Sequence, residues 1–283
     1  MPLVFRSLSV LPLWLLHALG AAMGWVAFVA SPTYRRRFLA NSALAGYAFG
    51  DVRAAVAHAG RMVAELPRLW LGAPLPCRIE GEACVDQAYA AGRGVLYLTP
   101  HQGCFELSAQ AAARRWSPEH GPITVLYRPA RQAWLAKVQE TARNRPGMQA
   151  VPTTLSGVRP MIKALRRGEA VGLLPDQVPP EGLGVWSPVF GKEAYTMTLA
   201  ARLALQTGAT VLLVRCERES AGRGFVMYAE PLPQPLDSDL NTAVGQINSA
   251  MEHVIRQCPG QYLWGYGRYK QPRAEAPQSE VSA

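Results

Sequence analysis

The sequence predicts an α/β protein, with a mostly parallel sheet flanked by helices behind an apolar N-terminal helix and a helical lead-in. Two observations carry this. Short apolar runs alternate with helical patterns from about residue 94 to residue 256, and residues 7–34 contain no Asp, Glu, Lys or Arg. The charge fraction agrees: 17% of the chain is charged and 49% apolar, against roughly 25% charged in ordinary soluble domains.

Residues 8–30 are rich in Leu, Val, Ala, Trp and Phe, and about 20 such residues cross a bilayer core. We assign residues 1–32 to a membrane-anchoring helix, with an interfacial or buried core helix as the other readings of the same composition. A cleaved signal fits less well, because the run is long and Phe28 interrupts the small-x-small pattern before Ala30. Arg6 precedes the segment and Arg35, Arg36 and Arg37 follow it. Positive charge stays cytoplasmic, so the bulk of the chain is expected on the cytoplasmic side.

Residues 33–75 form the lead-in, with helices expected at 34–47 and 51–71. In the second, Val52, Val56, Ala59, Val63 and Leu66 fall at helical spacing. Pro67 interrupts its end, and Pro74 and Pro76 mark a boundary. Residues 76–270 form the α/β domain. Strands are expected at 94–98, 123–127, 148–151, 171–174, 210–216 and 225–229, and helices at 105–114, 134–144, 158–167, 197–207 and 241–256. Strands separated by helices of this length imply right-handed crossovers and a parallel sheet, whose sites form at the strands' carboxyl ends. Residues 271–283 are polar and expected to be disordered.

Five cysteines, Cys77, Cys84, Cys104, Cys216 and Cys258, follow no framework spacing, and they read as free thiols in a reducing compartment. The net charge is +9, and residues 114–167 carry all of it, with eleven Lys or Arg against Glu119 and Glu140. Beside an apolar anchor, lipid phosphates are its natural partner. No nucleic-acid-binding motif accompanies the charge, and nucleic acid is not expected as a partner.

The chemistry concentrates in residues 94–107, GVLYLTPHQGCFEL. A buried strand runs into a Thr-Pro turn, His101 and Gly103, and a helix starts near Cys104. His101 therefore sits beyond a strand's carboxyl end and Glu106 in the following helical turn. Inside one helix the two would point about 140° apart, so they face each other only if His101 lies outside it, a turn that Gly103 permits. A carboxylate on one imidazole nitrogen leaves the other free to take a proton from a hydroxyl. Cys104 is the rival nucleophile, but no basic neighbour lowers its pKa, and packing is its expected role. No G-x-S-x-G elbow exists in the chain, leaving the acceptor's own hydroxyl as nucleophile.

The H-x4-E arrangement after a strand resembles the motif of the lysophospholipid acyltransferase superfamily, and within it the chain looks like the lipid A late acyltransferases. The likeness extends to YRPARQ at 127–132, LLPDQ at 173–177, SPVFGKEAYT at 187–196 and PGQYLWGYGRYK at 259–270. It implies transfer of a fatty acyl chain from acyl carrier protein, or coenzyme A, to a hydroxyl of a lipid A precursor, without metal or organic cofactor. His101 would be the base and Glu106 its orienter, with backbone N–H groups just after His101 serving the oxyanion. Arg128 and Arg145 are candidates for a substrate phosphate, with Arg143 for the same role. Asp176, beyond another strand end, would hold Arg128 or a sugar hydroxyl, with Gln177 beside it. The basic stretch would also suit an acidic acyl carrier protein. Another lipid or glycolipid acceptor, or a non-catalytic lipid-binding protein, are the alternatives.

Overall fold

The computed structural model describes residues 2–127, 130, 132–153 and 155–274. The chain opens with helices α1 (Pro2–Leu8), α2 (Leu13–Ala30), α3 (Pro32–Leu44), α4 (Phe49–Val52), α5 (Ala54–Ala64) and α6 (Leu66–Leu71). Strand β1 (Cys77–Glu80) and α7 (Glu82–Ala90) follow, then β2 (Val95–Leu98), α8 (Phe105–His120), β3 (Ile123–Tyr127), α9 (Ala133–Arg143), β4 (Met148–Pro152) and α10 (Leu155–Arg166). The rest is β5 (Ala170–Leu173), a hairpin of β6 (Gly184–Val189) and β7 (Lys192–Met197), α11 (Leu199–Thr207), β8 (Thr210–Arg218), β9 (Phe225–Pro231) and α12 (Leu240–Gln257).

Seven strands form one sheet in the order β1-β9-β8-β2-β5-β3-β4, parallel except for the β8–β9 pair. The expected α/β class and mostly parallel sheet are therefore what the chain adopts. β2 lies at its middle with all four residues buried, as a strand covered on both faces must be. Successive side chains alternate between faces. Val95 and Tyr97 enter a core with Leu107 and Trp116 of α8, whereas Leu96 and Leu98 enter a second core with Leu165 of α10, Leu203 of α11 and Val254 of α12.

The helix expected at 51–71 is divided at Arg53 and Glu65. Pro67 has no N–H to continue the ladder, and the break places Glu65 in the interior. β1, α7 and the β6–β7 hairpin escaped the sequence reading. β1 alternates between half-buried and exposed residues, too weak a pattern over four residues, and the hairpin carries Ser187 and Pro188. Of the expected disordered tail, residues 271–274 have no helix or strand, and residues 275–283 lie outside the described residues.

Among the described residues α2 is the helix long and apolar enough to cross a membrane, with a mean hydropathy of 1.8. It is not free-standing. Leu16, His17, Gly20, Gly24 and Phe28 form a buried stripe, and Gly20 and Gly24 meet Gly60 of α5 so closely that a Cβ on Gly60 would lie 1.9 Å from the Gly20 carbonyl oxygen. The opposite side exposes Trp14, Met23, Val26 and Val29. Arg35 donates to the carbonyls of Phe28 and Val29 at 3.2 and 2.9 Å, capping the helix end.

Candidate active site

β2 and β5 pair in parallel with Leu98 opposite Leu173, so the residues that follow each strand emerge together. The Thr99 N–H continues the ladder to the Leu173 carbonyl at 3.1 Å. Beyond it, Asp176 receives both donors of the facing residue: the His101 backbone N–H at 2.9 Å and the His101 ring, whose Nδ1 lies 2.7 Å from Oδ1. Burial alone would raise the Asp176 carboxyl, but the neighbouring His101 charge and hydrogen bonds outweigh it and hold the group below its ordinary value. With Nδ1 engaged, Nε2 is the imidazole nitrogen left for chemistry. The His101 side chain keeps 18% of its surface exposed.

This corrects the expected pairing. The carboxylate on His101 is Asp176, 75 residues away, and Glu106 binds Arg143 instead. The physical reason is the start of α8. His101 precedes the helix and is fastened to the β5 loop, while Glu106 lies in the first helical turn and meets the end of α9. The Arg143 guanidinium also sits 5.7 Å from the ring centres of both Trp70 and Tyr127. Arg145, a candidate for a substrate phosphate, does not line the cavity that holds His101. It donates to the Trp70 carbonyl and, at 3.2 Å, to Gln110, tying α6 to α8. Arg128 lies outside the described residues. Gln177 lines the cavity beside His101.

The loop carrying His101 is held from behind by residues the sequence reading had not connected. Gly103 adopts φ +56°, and a Cβ there would lie 2.0 Å from the Cys216 carbonyl oxygen, so both the turn and the close approach require glycine. The N–H groups of Gln102, Gly103 and Cys104 donate to the carbonyls of Pro100, Gln261 and Cys216, at 2.7, 2.9 and 2.7 Å. These turn donors are spent. The N–H groups of Phe105 and Glu106, at the start of α8, have no backbone acceptor among the described residues, as the first N–H groups of any helix lack one. The Leu263 N–H bonds the His101 carbonyl at 3.1 Å and the Gln102 amide bonds the Ile255 and Cys258 carbonyls, so the PGQYLW segment clamps this loop.

A buried charge cluster completes the support. Glu65 accepts from Arg218 at 2.6 and 2.9 Å and lies 2.5 Å from Nε2 of His17, and Arg218 also donates to the Gly103 carbonyl at 2.8 Å. It links α2, the α5–α6 break, β8 and the His101 loop. Cys104 is buried, and desolvation pushes its thiol well above the ordinary value, as its expected packing role requires.

His101, Phe105 and Glu106 open onto a cavity of about 1430 Å³, larger than the roughly 300–1,000 Å³ of a small-molecule pocket. Its deep part runs between α8 and the sheet and is bounded by Tyr97, Ala112, Ile123, Val214 and Met227, all nearly inaccessible. An imidazole with one nitrogen fixed by a carboxylate, at the head of an apolar cavity, can remove a proton from a hydroxyl brought beside a long hydrocarbon.

A sequence model of the bacterial lipid A biosynthesis acyltransferases matches residues 3–271. The chain is 27% identical over 193 residues to the lipid A biosynthesis palmitoleoyltransferase of Escherichia coli (strain K12), covering 68% of this chain and 61% of that protein. It is 30% identical over 189 residues to the lipid A biosynthesis lauroyltransferase of the same organism, covering 66% and 59%. A phosphatidylinositol mannoside acyltransferase of Mycobacterium tuberculosis (strain CDC 1551 / Oshkosh) is 28% identical over 148 residues, 51% of this chain and 45% of the relative. The matched region thus spans about three-fifths of the two lipid A relatives.

Proposed function

The chain belongs to the bacterial lipid A biosynthesis acyltransferase family, and from that premise we propose that it transfers a fatty acyl chain from a thioester to a hydroxyl of a lipid A precursor. The observation that carries this reading is the His101–Asp176 pair at the head of the apolar cavity. The donor is acyl carrier protein or coenzyme A, and the acyl chain occupies the space between α8 and the sheet.

His101 Nε2 takes the proton from the acceptor hydroxyl, and Asp176 fixes the tautomer and stabilises the charged ring. The hydroxyl oxygen forms a bond to the thioester carbonyl carbon. The carbonyl oxygen becomes an oxyanion, which the N–H groups of Phe105 and Glu106 and the positive end of α8 stabilise. Collapse breaks the carbon–sulfur bond, and the leaving thiolate recovers the proton from His101. The products are an ester and a free thiol. Glu106 and Arg143 act as a pair beside this reaction, with Glu106 holding the guanidinium at the cavity wall.

The exposed side of α2 supports attachment to the membrane in which such an acceptor resides, and we place the chain at the inner membrane facing the cytoplasm. Incubating membranes with an acyl-thioester donor and a lipid A precursor, and weighing the product, tests the reading. The native chain adds the mass of one acyl group, and His101→Ala lowers the rate by at least about 10³-fold. Full-rate transfer by His101→Ala would end the proposal.

A further inference from the structure

The cavity has charged lining residues besides those around His101. Arg202, Lys270 and Arg273 all line it, and all three side chains belong to exposed residues. Each is fastened to the same loop, the one that follows Asp176 and Gln177. Arg202 donates to Thr198 Oγ1 at 3.1 Å, and Thr198 bonds the Leu183 carbonyl. The Arg273 carbonyl accepts from the Glu181 N–H at 3.0 Å. Lys270 Nζ lies 4.8 Å from the centre of the Tyr266 ring, whose hydroxyl accepts from the Val178 N–H at 3.0 Å.

None of the three forms an ion pair among the described residues. Among the described residues the acid that lines the cavity, Glu106, is committed to Arg143. The cavity is therefore lined both by buried apolar residues between α8 and the sheet and by three exposed cations that have no ion-pair partner among the described residues. Cations that line a cavity without an ion-pair partner are free to take an anion, and Arg and Lys donors match phosphate oxygens in charge and geometry.

We propose that Arg202, Lys270 and Arg273 form a binding site for the phosphate group of an amphiphile whose hydrocarbon lies in the cavity. The proposal rests on the acyl-transfer reading for its source of phosphate, which is either the headgroup of the lipid acceptor or the pantetheine arm of the donor. The site sets recognition and not proton transfer, since it includes neither His101 nor Asp176 and none of its residues bonds to either.

The test separates binding from turnover. The full chain is titrated with dodecyl maltoside micelles carrying dodecyl phosphate or, as reference, dodecanol. Replacing all three residues (Arg202→Gln, Lys270→Gln, Arg273→Gln) weakens binding to the phosphate micelles at least about tenfold, while Lys270→Gln alone gives part of that loss. A charge-matched control away from the cavity (Arg78→Gln, Arg93→Gln, Arg223→Gln) stays within about twofold. Equal losses in the two triple variants, or none in the cavity variant, overturn the site without touching the acyltransferase reading, which stands or falls on His101→Ala. Turnover then names the source. The triple variant raises KM with little change in kcat, and this difference disappears when the phosphate is removed from the one partner that carries it. A difference that survives removal from acceptor and donor alike would overturn the assignment.

Discussion

A carboxylate serves an imidazole by geometry, and chain proximity is no guide to it. Asp176 meets His101 through two hydrogen bonds because their strands are neighbours in the sheet, whereas Glu106, five residues from His101, faces the end of α9. The sequence revealed the position of His101, because a buried run ending in Thr-Pro and followed by a glycine is a local pattern. It also put Asp176 on the same sheet edge. Their pairing was not legible, because it depends on β5 lying beside β2, and strand order is a property of the whole sheet. Glu106 stands out in the sequence through its nearness to His101 and through the H-x4-E resemblance, and neither shows which strands are neighbours. A separable expectation follows. Glu106→Gln leaves the His101–Asp176 bonds intact and weakens only the hold on Arg143. A half-buried pair worth on the order of 1 kcal/mol corresponds to roughly five- to tenfold in rate, read as kcat with saturating donor. A loss as large as that of His101→Ala would return Glu106 to the role of orienter of His101.

Elements here are joined by buried charge as well as by apolar packing. The α5–α6 break puts Glu65 fully inside, against Arg218 and His17. The sequence showed Pro67 as an interruption, but not that the residue before the break would become the hub between α2 and the His101 loop. Burial favours the neutral acid, yet the Arg218 charge and the hydrogen bonds from His17 and Arg218 prevail and bring Glu65 down from 4.5 to about 2. A folded value below the unfolded one means that this group stabilises the protein above about pH 4.5, and that the contribution fades as pH falls towards 2. Glu65→Gln leaves Arg218 buried without its counter-charge and costs about 3–5 kcal/mol. Urea unfolding at pH 7 and pH 3 checks both points. The native chain loses stability between these values, and Glu65→Gln loses less over the same interval.

For the molecule as a whole, the same α2 helix that docks through Leu16, His17, Gly20 and Gly24 turns Trp14, Met23, Val26 and Val29 outward, 51–69% exposed. The apolar composition was legible in the sequence. Its division into a docked stripe and an exposed one was not, because the mean hydropathy of a helix does not reveal which face a partner covers. An exposed apolar stripe of this kind is suited to the acyl region of a bilayer, the attachment that the proposed function calls for. Val26→Lys together with Val29→Lys shifts the chain from the membrane pellet to the soluble fraction, and unchanged sedimentation would reject that placement. The account as a whole requires that a hydroxyl proton leave through His101 while Asp176 steadies the ring, so the rate of acyl transfer by Asp176→Asn is its most direct measurement. The variant keeps the size of the side chain and removes its charge, and we predict a fall in kcat of about 10²–10⁴-fold with KM nearly unchanged. A kcat within about twofold of the native chain would contradict the account.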